Sequence, residues 1–92
     1  MAKIVETQDT LSGEPRIAET RIGVLDIAEF VLDGGYTPAD TADQLDIEVA
    51  AVYHALAYYH EHATEMRELR QDRSKMEATL AQEALQPPKH VQ

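Results

Sequence analysis

The sequence predicts a mainly α-helical protein: a three-helix, homeodomain-like helix-turn-helix core with a short N-terminal β-hairpin or arm and a long C-terminal helix. One observation is an apolar stripe at helical spacings of three and four residues, formed by Val52, Leu56, Tyr59, Ala63 and Met66. Another is a pair of helix boundaries, Gly34-Gly35 closing one helix and Thr37-Pro38 opening the next. The third is the absence of Gly and Pro from residues 48–86.

Residues 1–23 are predicted to form the N-terminal β arm. Residues 2–7 contain a β-branched run that suits a strand, and residues 8–15 hold the Asp, Ser, Gly and Pro typical of a turn. Two short extended stretches follow, with Ile17 and Ile22 as their buried anchors. Two strands alone are marginal in water, so the arm must pack on a helix or on a second chain.

Residues 24–66 are predicted to form the helix-turn-helix core. Its first helix runs from residue 24 or 25 to Asp33, where the two glycines stop it. Thr37 is expected to be the N-cap of a short second helix that ends near Leu45. The tight connection to a longer third helix is typical of a helix-turn-helix arrangement.

Asp46 is predicted to cap the third helix, whose first turn is residues 47–49. Two interpretations remain open beyond that point. The helix is either continuous from Glu48 to Gln86, or it breaks after Thr64, which then acts as a new N-cap. Residues 67–86 form the C-terminal helical extension in both cases, and residues 87–92 are a tail.

Composition excludes several classes of protein. The 92 residues form one small domain with a modest core, for which self-association would add stability. The absence of Cys excludes disulfides and thiolate chemistry. No apolar run reaches the roughly 18–20 residues of a membrane span, and the N-terminus lacks a signal-peptide pattern, so a cytoplasmic location without membrane association is predicted.

The charge is strongly acidic, with 17 Asp and Glu against 8 Lys and Arg and a formal net charge of −9. Only Lys3, Lys75 and Lys89 are lysines. Such a surface suits concentrated salt, where self-repulsion is screened, and it predicts a halophilic source. The alternative is an ordinary acidic mesophilic protein. Either way, the charge disfavours non-specific binding to nucleic acid or anionic membranes.

Several segments carry a family resemblance. They are GEPRIAETRIGV at residues 13–24, Ile27, GYTP at 35–38, VYHALAYY at 52–59, His62 and Glu65. Together they resemble domain-of-unknown-function family 433, whose pattern is roughly G-x-P-R-I-x-G-T-R-I-x-V, a spaced Gly, V-x-x-A-L-x-Y-Y and H-x-x-E. Glu19 departs from this pattern, which has Gly there, and so puts a tight turn at that position in question. The pattern does not cover the chain after Met66.

The resemblance implies a small helix-turn-helix protein that acts as the antitoxin-like partner of a PIN-like nuclease toxin. Such a protein is expected to form a homodimer, to neutralise the toxin and to regulate its own operon. The alternatives are a DNA-binding transcriptional regulator and a structural module without a ligand.

Residues 38–60, the predicted helix-turn-helix, contain no Lys or Arg, although Arg or Lys makes the commonest specific contact with DNA bases. Only Gln44, Tyr53, His54 and a few small residues there are predicted to reach a base edge, and these three are the candidate residues for binding nucleic acid or a partner. Arg16 and Arg21 are rigid bidentate donors that suit phosphate or an acidic partner. The competing interpretation, which we favour, is an internal ion pair with Glu19, with Asp26 or with the C-terminal end of a helix.

The sequence predicts neither a metal site nor an enzyme nor a cofactor. His54 and His62 lie two helical turns apart, about 12 Å, which is too far for one ion. His60 and His62 do not face each other on a helix. No nucleophile has a recognisable base nearby, and no Gly-rich phosphate loop follows a strand.

The long C-terminal helix is predicted to pack on a second copy or on a toxin, or else to fray. The residues assigned to this contact are Leu56, Tyr59, Met66, Leu69, Met76 and Leu80. Arg73 interrupts the apolar line and is spaced to pair with Glu77 at i, i+4.

Overall fold

A computed structural model describes residues 3–7 and 13–85 of the chain as a helical body from which one helix projects. The predicted tail at residues 87–92, the residue at the end of the extension and most of the turn at residues 8–15 lie outside the described residues. The mainly helical fold with a short N-terminal hairpin and a long C-terminal helix is confirmed.

The N-terminal hairpin consists of β1 (Ile4–Val5) and β2 (Arg16–Ile17), which pair antiparallel with Ile4 opposite Ile17. Ile17 is buried, whereas Ile22 is only partly buried against the core. The hairpin therefore packs on the helices, as two short strands require.

The turn after β2 is tight although it lacks the expected glycine. The amide of Thr20 donates to the carbonyl of Ile17 at 3.1 Å, and the amide of Ile17 donates to the carbonyl of Ile22 at 2.9 Å. Glu19 adopts φ +66°, in the left-handed region. That conformation costs an L-residue with a side chain about 1–2 kcal/mol, so the fold keeps the turn with a strained residue in the place of Gly.

The first helix begins and ends where the sequence predicts, but its second half is a π-helix. Helix α1 (Val24–Ala28) begins where the Asp26 carboxylate accepts the amide of Gly23 at 2.8 Å. The chain then continues as a π-helix over Glu29–Asp33. A π-turn inside a helix often marks a functional position.

Two glycines end the π-helix for different reasons. Gly34 donates its amide to the carbonyl of Glu29 at 2.9 Å, and a Cβ on Gly34 would lie 2.8 Å from the carbonyl oxygen of Phe30. Gly35 adopts φ +73°, which favours glycine. The predicted glycine stop is therefore confirmed.

Helix α2 spans Pro38–Leu45 and begins as predicted. The hydroxyl of Thr37 accepts the amide of Asp40 at 3.0 Å. The side chain of Thr41 is fully buried and donates to the carbonyl of Thr37 at 2.9 Å, so its burial leaves no polar group unpaired.

The prediction that Asp46 caps the third helix is wrong. Asp46 closes α2 in the left-handed conformation at φ +57°, one that Asp tolerates better than most residues. The next amide, of Ile47, donates to the carbonyl of Ala42 at 3.0 Å. Helix α3 (Val49–Glu61) begins only after Glu48.

The long C-terminal segment is neither one continuous helix nor broken at Thr64. Helix α3 ends at Glu61, and α4 spans Ala63–Ala84, so the predicted border at residue 66 falls inside α4. His62 makes the break. Its amide and its ring Nδ1 both lie within hydrogen-bond distance of the carbonyl oxygen of Tyr58, at 2.9 and 3.0 Å, and its ring stacks on Tyr58 at 3.9 Å.

One core joins the hairpin to all four helices. Its buried members are Ile17, Val24, Leu25, Ile27, Ala42, Ala51, Val52, Ala55 and Met66. The molecule extends over 53 × 27 × 25 Å, because α4 is about 33 Å long and only its first half packs on the body. Within the described ranges, every helix is too short or too polar to cross a bilayer.

Candidate partner-binding faces

Two arginines fasten the first half of α4 to the body. Arg70 binds both carboxylate oxygens of Asp33, at 2.5 and 2.6 Å, and donates to the hydroxyl of Tyr59 at 2.8 Å. One turn later, Arg73 contacts three carboxylates. They are those of Asp26 at 3.0 Å, Glu14 at 3.1 Å and Glu29 at 3.3 Å. The spacing of Arg73 predicted a pair with Glu77, but Arg73 pairs instead with carboxylates of the body.

Both guanidinium groups are held in the charged form. The hydrogen bond to Tyr59 raises the pKa of Arg70 above its ordinary value, and the hydrogen bond to Asp33 raises it further. Burial alone would lower the pKa of Arg73, but the hydrogen bond and charge of Asp26, together with the other two carboxylates, raise it overall. The attachment of α4 is therefore insensitive to pH near neutrality.

Beyond Arg73, α4 projects from the body, although Ser74 and Glu77 still line a polar cavity with Glu29 and Asp33. Residues 74–85, which we call the arm, are all exposed. Met76 and Leu80 are 61% and 56% exposed, although they continue the line of Leu69 and Arg73, which face the body. The arm thus presents an apolar stripe that no described residue covers.

The joint between α3 and α4 is tied to the hairpin. The hydroxyl of Tyr58 donates to the carboxylate of Glu6 at 3.2 Å. Burial raises the pKa of Tyr58 to about 12, and the charges of Glu6 and Glu65 and the hydrogen bond to Glu6 act in the same direction. The folded state therefore favours the neutral phenol of Tyr58.

Between Val49 and Ala57, the surface of α3 that points away from the core is apolar, and the exposed His60 and Glu61 follow it. We call Val49, Ala50, Tyr53 and Ala57 the outer face; all four are exposed, and Tyr53 is 57% exposed. Exposed carboxylates precede this face along the chain, and we call them the acidic rim: Asp40, Asp43, Asp46 and Glu48. Residues 38–61 contain no Lys or Arg, so no cation lies on α2 or α3. The outer face combines an exposed aromatic ring with an acidic rim, a composition that suits a protein surface better than DNA.

A second candidate surface is an open apolar cavity of about 360 Å³ beside α1, the π-helix and the end of α2. Its lining residues are Ile22, Asp26, Glu29, Phe30, Gly34, Tyr36 and Leu45. The rings of Phe30 and Tyr36 meet edge to face at 5.2 Å and form its aromatic wall. Glu29 also lines a smaller polar cavity with Arg70 and Arg73, so the apolar cavity opens beside the base of the arm.

The model of the family described as protein of unknown function (DUF433) matches residues 4–59, well over half of the chain. The chain belongs to this family. No curated protein and no solved structure matches it. The match includes the hairpin, α1, the π-helix, α2 and all but the last two residues of α3, whereas α4 lies outside it. The outer face and the cavity therefore lie within the DUF433 region, and the arm is an addition to it.

The arginines of the DUF433 motif have different surroundings. Arg16 donates to the carbonyl of Thr20 at 2.9 Å and to the hydroxyl of Thr7 at 2.8 Å, and its buried Nε has no partner within the described residues. It fixes the hairpin and its turn, without the ion pair to Glu19 or Asp26 that we expected. Arg21 is exposed and contacts no described carboxylate, so its guanidinium faces solvent.

The other predicted partner-binding residues do not form one cluster. Gln44 is exposed on α2, Tyr53 belongs to the outer face, and His54 is half-buried on α3. Leu56, Tyr59 and Leu69 are partly buried against the core. Met66 was predicted to contact a second copy or a partner, but it has no exposed surface and packs in the core. Only Met76 and Leu80 of that set lie on an open apolar surface.

Sequence reasoning missed the role of Arg70 and Arg73. The available signal was the position of Arg73 in the middle of an otherwise apolar line, which indicates a charge that is paired across a packed surface. The structure places no group of three or more His, Asp or Glu with metal-binding geometry in residues 3–7 and 13–85.

Proposed function

We propose that this protein is an antitoxin-like binding protein, and that its partner is a PIN-like nuclease toxin that docks on the outer face of α3. The observation that carries the proposal is the chemistry of that face. Where a DNA-reading helix needs Arg or Lys, α3 presents Val49, Ala50 and Tyr53. Exposed Tyr is a typical anchor of protein interfaces, because it buries a large ring at small entropic cost.

Charge complementarity supports a nuclease as the partner. A nuclease must hold the phosphate backbone of its substrate with basic groups. The carboxylates of Asp40, Asp43 and Glu48 beside the outer face match such a basic surface in charge. The protein would then neutralise the toxin by covering the surface that binds nucleic acid.

The proposed setting is the cytoplasm of a halophilic cell, which agrees with the net charge of −9 and the scarcity of lysine. Salt screens the acidic rim in such a cell, so the apolar contact made by Tyr53 supplies most of the affinity. The role is binding, with regulation of the operon as an accompanying activity and no catalysis.

Co-expression with a nuclease-like protein encoded by a neighbouring gene tests the proposal. We expect a co-purifying complex, in which Tyr53→Ala raises the Kd about 30-fold, the effect of losing roughly 2 kcal/mol at an interface anchor. Gln71→Ala, an exposed position on α4, is the matched control and should leave the Kd unchanged. Failure to form a complex overturns the partner assignment, and an unchanged Kd for Tyr53→Ala overturns the docking face.

A second candidate, a DNA-binding regulator, is supported by the helix-turn-helix arrangement of α2 and α3 and by the solvent-facing guanidinium of Arg21. A gel-shift experiment with the protein's own promoter at high salt distinguishes the two candidates. The DNA candidate requires specific binding that Arg21→Ala weakens and a dimer with α3 helices about 34 Å apart. Absence of a shift for the parent protein eliminates it.

A further inference from the structure

The arm is an exposed helical segment that lacks the contacts on which helices depend. Its 12 residues, 74–85, are all exposed, and at its base Ser74 and Glu77 line a polar cavity with Glu29 and Asp33 of the body. Isolated helices of about 12–15 residues are marginal in water, and most helical stability in proteins comes from packing of an apolar face. Met76 and Leu80 form such a face, one turn apart, so the arm has the composition of a helix that packs on something.

The arm also differs in charge from the rest of the chain. It carries Lys75 against Glu77 and Glu83, whereas the whole chain has a net charge of −9. Two copies can therefore approach each other along their arms with little repulsion, although repulsion opposes contact between most other surfaces. A basic partner, in contrast, would be attracted to the acidic body more than to the arm.

The apolar cavity lies beside the carboxylates that hold the base of the arm. Asp26 and Glu29 line the cavity and also hold Arg73, the last residue before the arm. The stripe of Met76 and Leu80 continues the line of Leu69 and Arg73, so it lies on the same face of α4 that packs on the body. Arg73, Asp26 and Glu29 therefore connect the stripe to the cavity.

We infer that two copies of this chain pair through antiparallel arms, and that Leu80 of each copy enters the apolar cavity of the other. Pairing about Met76 places the two methionines side by side on the twofold axis. Leu80 lies four residues after Met76, which is roughly 6 Å along the helix. Arg73 lies three residues before Met76, which is roughly 4.5 Å along the helix in the other direction. Leu80 of one copy is therefore level with Arg73 of the other, next to the rim formed by Asp26 and Glu29.

A twofold pairing of this kind uses each surface twice and closes on itself. The stripe of one copy meets the cavity of the other, and the reverse contact is identical, as an isologous interface requires. The aromatic wall of Phe30 and Tyr36 offers the cavity side of the contact. The outer face of α3 is not used, so this inference stands independently of the proposed nuclease partner.

Cysteine cross-linking tests the geometry without background, because the chain contains no Cys. Met76→Cys should form a disulfide-linked dimer on mild oxidation. A mixture of Leu80→Cys and Tyr36→Cys chains should give mostly the mixed dimer. The control is Gln82→Cys, on the opposite side of the arm, mixed with the same Tyr36→Cys chain; it should give about tenfold less product. Leu80→Cys linking to itself but not to Tyr36→Cys overturns the docking in the cavity.

Sedimentation equilibrium tests the association itself on the full chain. The parent protein should be a dimer at micromolar concentration, and the double variant Met76→Glu/Leu80→Glu should associate at least about a hundredfold more weakly, because it places four carboxylates at the contact. Gln82→Glu adds a charge to the opposite side of the arm and should change the dimer dissociation constant by no more than about twofold. Circular dichroism confirms that each variant remains helical. A monomeric parent protein, or a double variant that remains a dimer, overturns the inference.

Discussion

The two halves of α4 carry two large apolar side chains each, but the surroundings of these side chains are opposite. The first half, Ala63–Arg73, places Met66 in the core and carries the two arginines that bind the carboxylates of the body. The second half, the arm, carries Met76 and Leu80 in solvent. Because both halves are one uninterrupted helix, the difference arises from what lies opposite each half. Local sequence determines that α4 is a helix, whereas tertiary contacts determine which part of it the monomer holds in place.

The largest expected effect on the free energy of unfolding comes from replacing one methionine by alanine in each half of α4. Met66→Ala removes a side chain with no exposed surface and leaves a cavity, so it should lower the free energy of unfolding by about 2–5 kcal/mol. Met76→Ala should change it by no more than about 0.5 kcal/mol, because the side chain is already in solvent. Urea unfolding of both variants at low protein concentration measures the difference. Equal losses would show that the arm is packed in the monomer.

The next effect concerns the contact of Arg73 with the carboxylates of Asp26, Glu14 and Glu29, which we call the clamp. Arg73→Met keeps an apolar stem but leaves Asp26, Glu14 and Glu29 without their shared cation, and it should cost about 2 kcal/mol of unfolding free energy. Arg67→Met is the matched control on the exposed side of α4 and should cost less than about 0.5 kcal/mol. Thermal unfolding of both variants decides the point. A loss as large in Arg67→Met would mean that positive charge anywhere on α4 matters, and not the clamp.

A smaller effect of opposite sign is expected at the turn after β2. Glu19→Gly removes the strain of a side chain at φ +66° and should raise the free energy of unfolding by about 0.5–1 kcal/mol. Glu19→Ala removes the charge but keeps Cβ, so it should give little of this gain. Chemical denaturation separates the two causes. Equal stabilisation by both variants would point to charge repulsion instead of backbone strain.

The smallest expected effect concerns the joint between the hairpin and α3, at alkaline pH. The pKa of Tyr58 is raised from 10.0 to about 12 in the folded state. A raised folded pKa contributes stability that is present below the unfolded pKa and disappears as the pH rises through the folded value. Stability should therefore fall between about pH 10 and 12, and the fall should be smaller in Tyr58→Phe. Urea midpoints across this range measure it, and identical pH profiles for the two proteins would contradict it.

The sequence was sufficient where structure follows from neighbours along the chain. Thr37 and Pro38 predicted the start of α2, and Gly34-Gly35 predicted the end of the first helix, because caps and left-handed glycines act within a few residues. Asp46 shows the limit of such reasoning. The same residue type can open a helix or close one, and here it closes α2.

Contacts between distant residues were beyond local reasoning. The break at His62 is a local feature that the sequence also did not reveal, because its imidazole lies within hydrogen-bond distance of the Tyr58 carbonyl and no Gly or Pro marks the position. The clamp joins Arg73 to Glu14, 59 residues away along the chain. Of the candidate contact residues, the sequence identified Tyr53, Met76 and Leu80 on exposed surfaces, but it did not predict the cavity near Phe30. That cavity exists only once the π-helix and α2 are packed together.

The π-helix at Glu29–Asp33 gives this protein one place where its chain length can change at small structural cost. A π-turn accommodates one residue more than an α-helix does at the same position. Deleting one residue before Asp33 would restore α-helical winding and leave the later side chains close to their present directions, because the wider π-turn already absorbs the extra residue. Asp33 would then still face Arg70. A one-residue deletion inside α2 or α3 would instead rotate every later side chain of that helix by about 100° around the axis. Single-residue deletions should therefore be accepted far more readily during evolution in the π-helix than in α2 or α3.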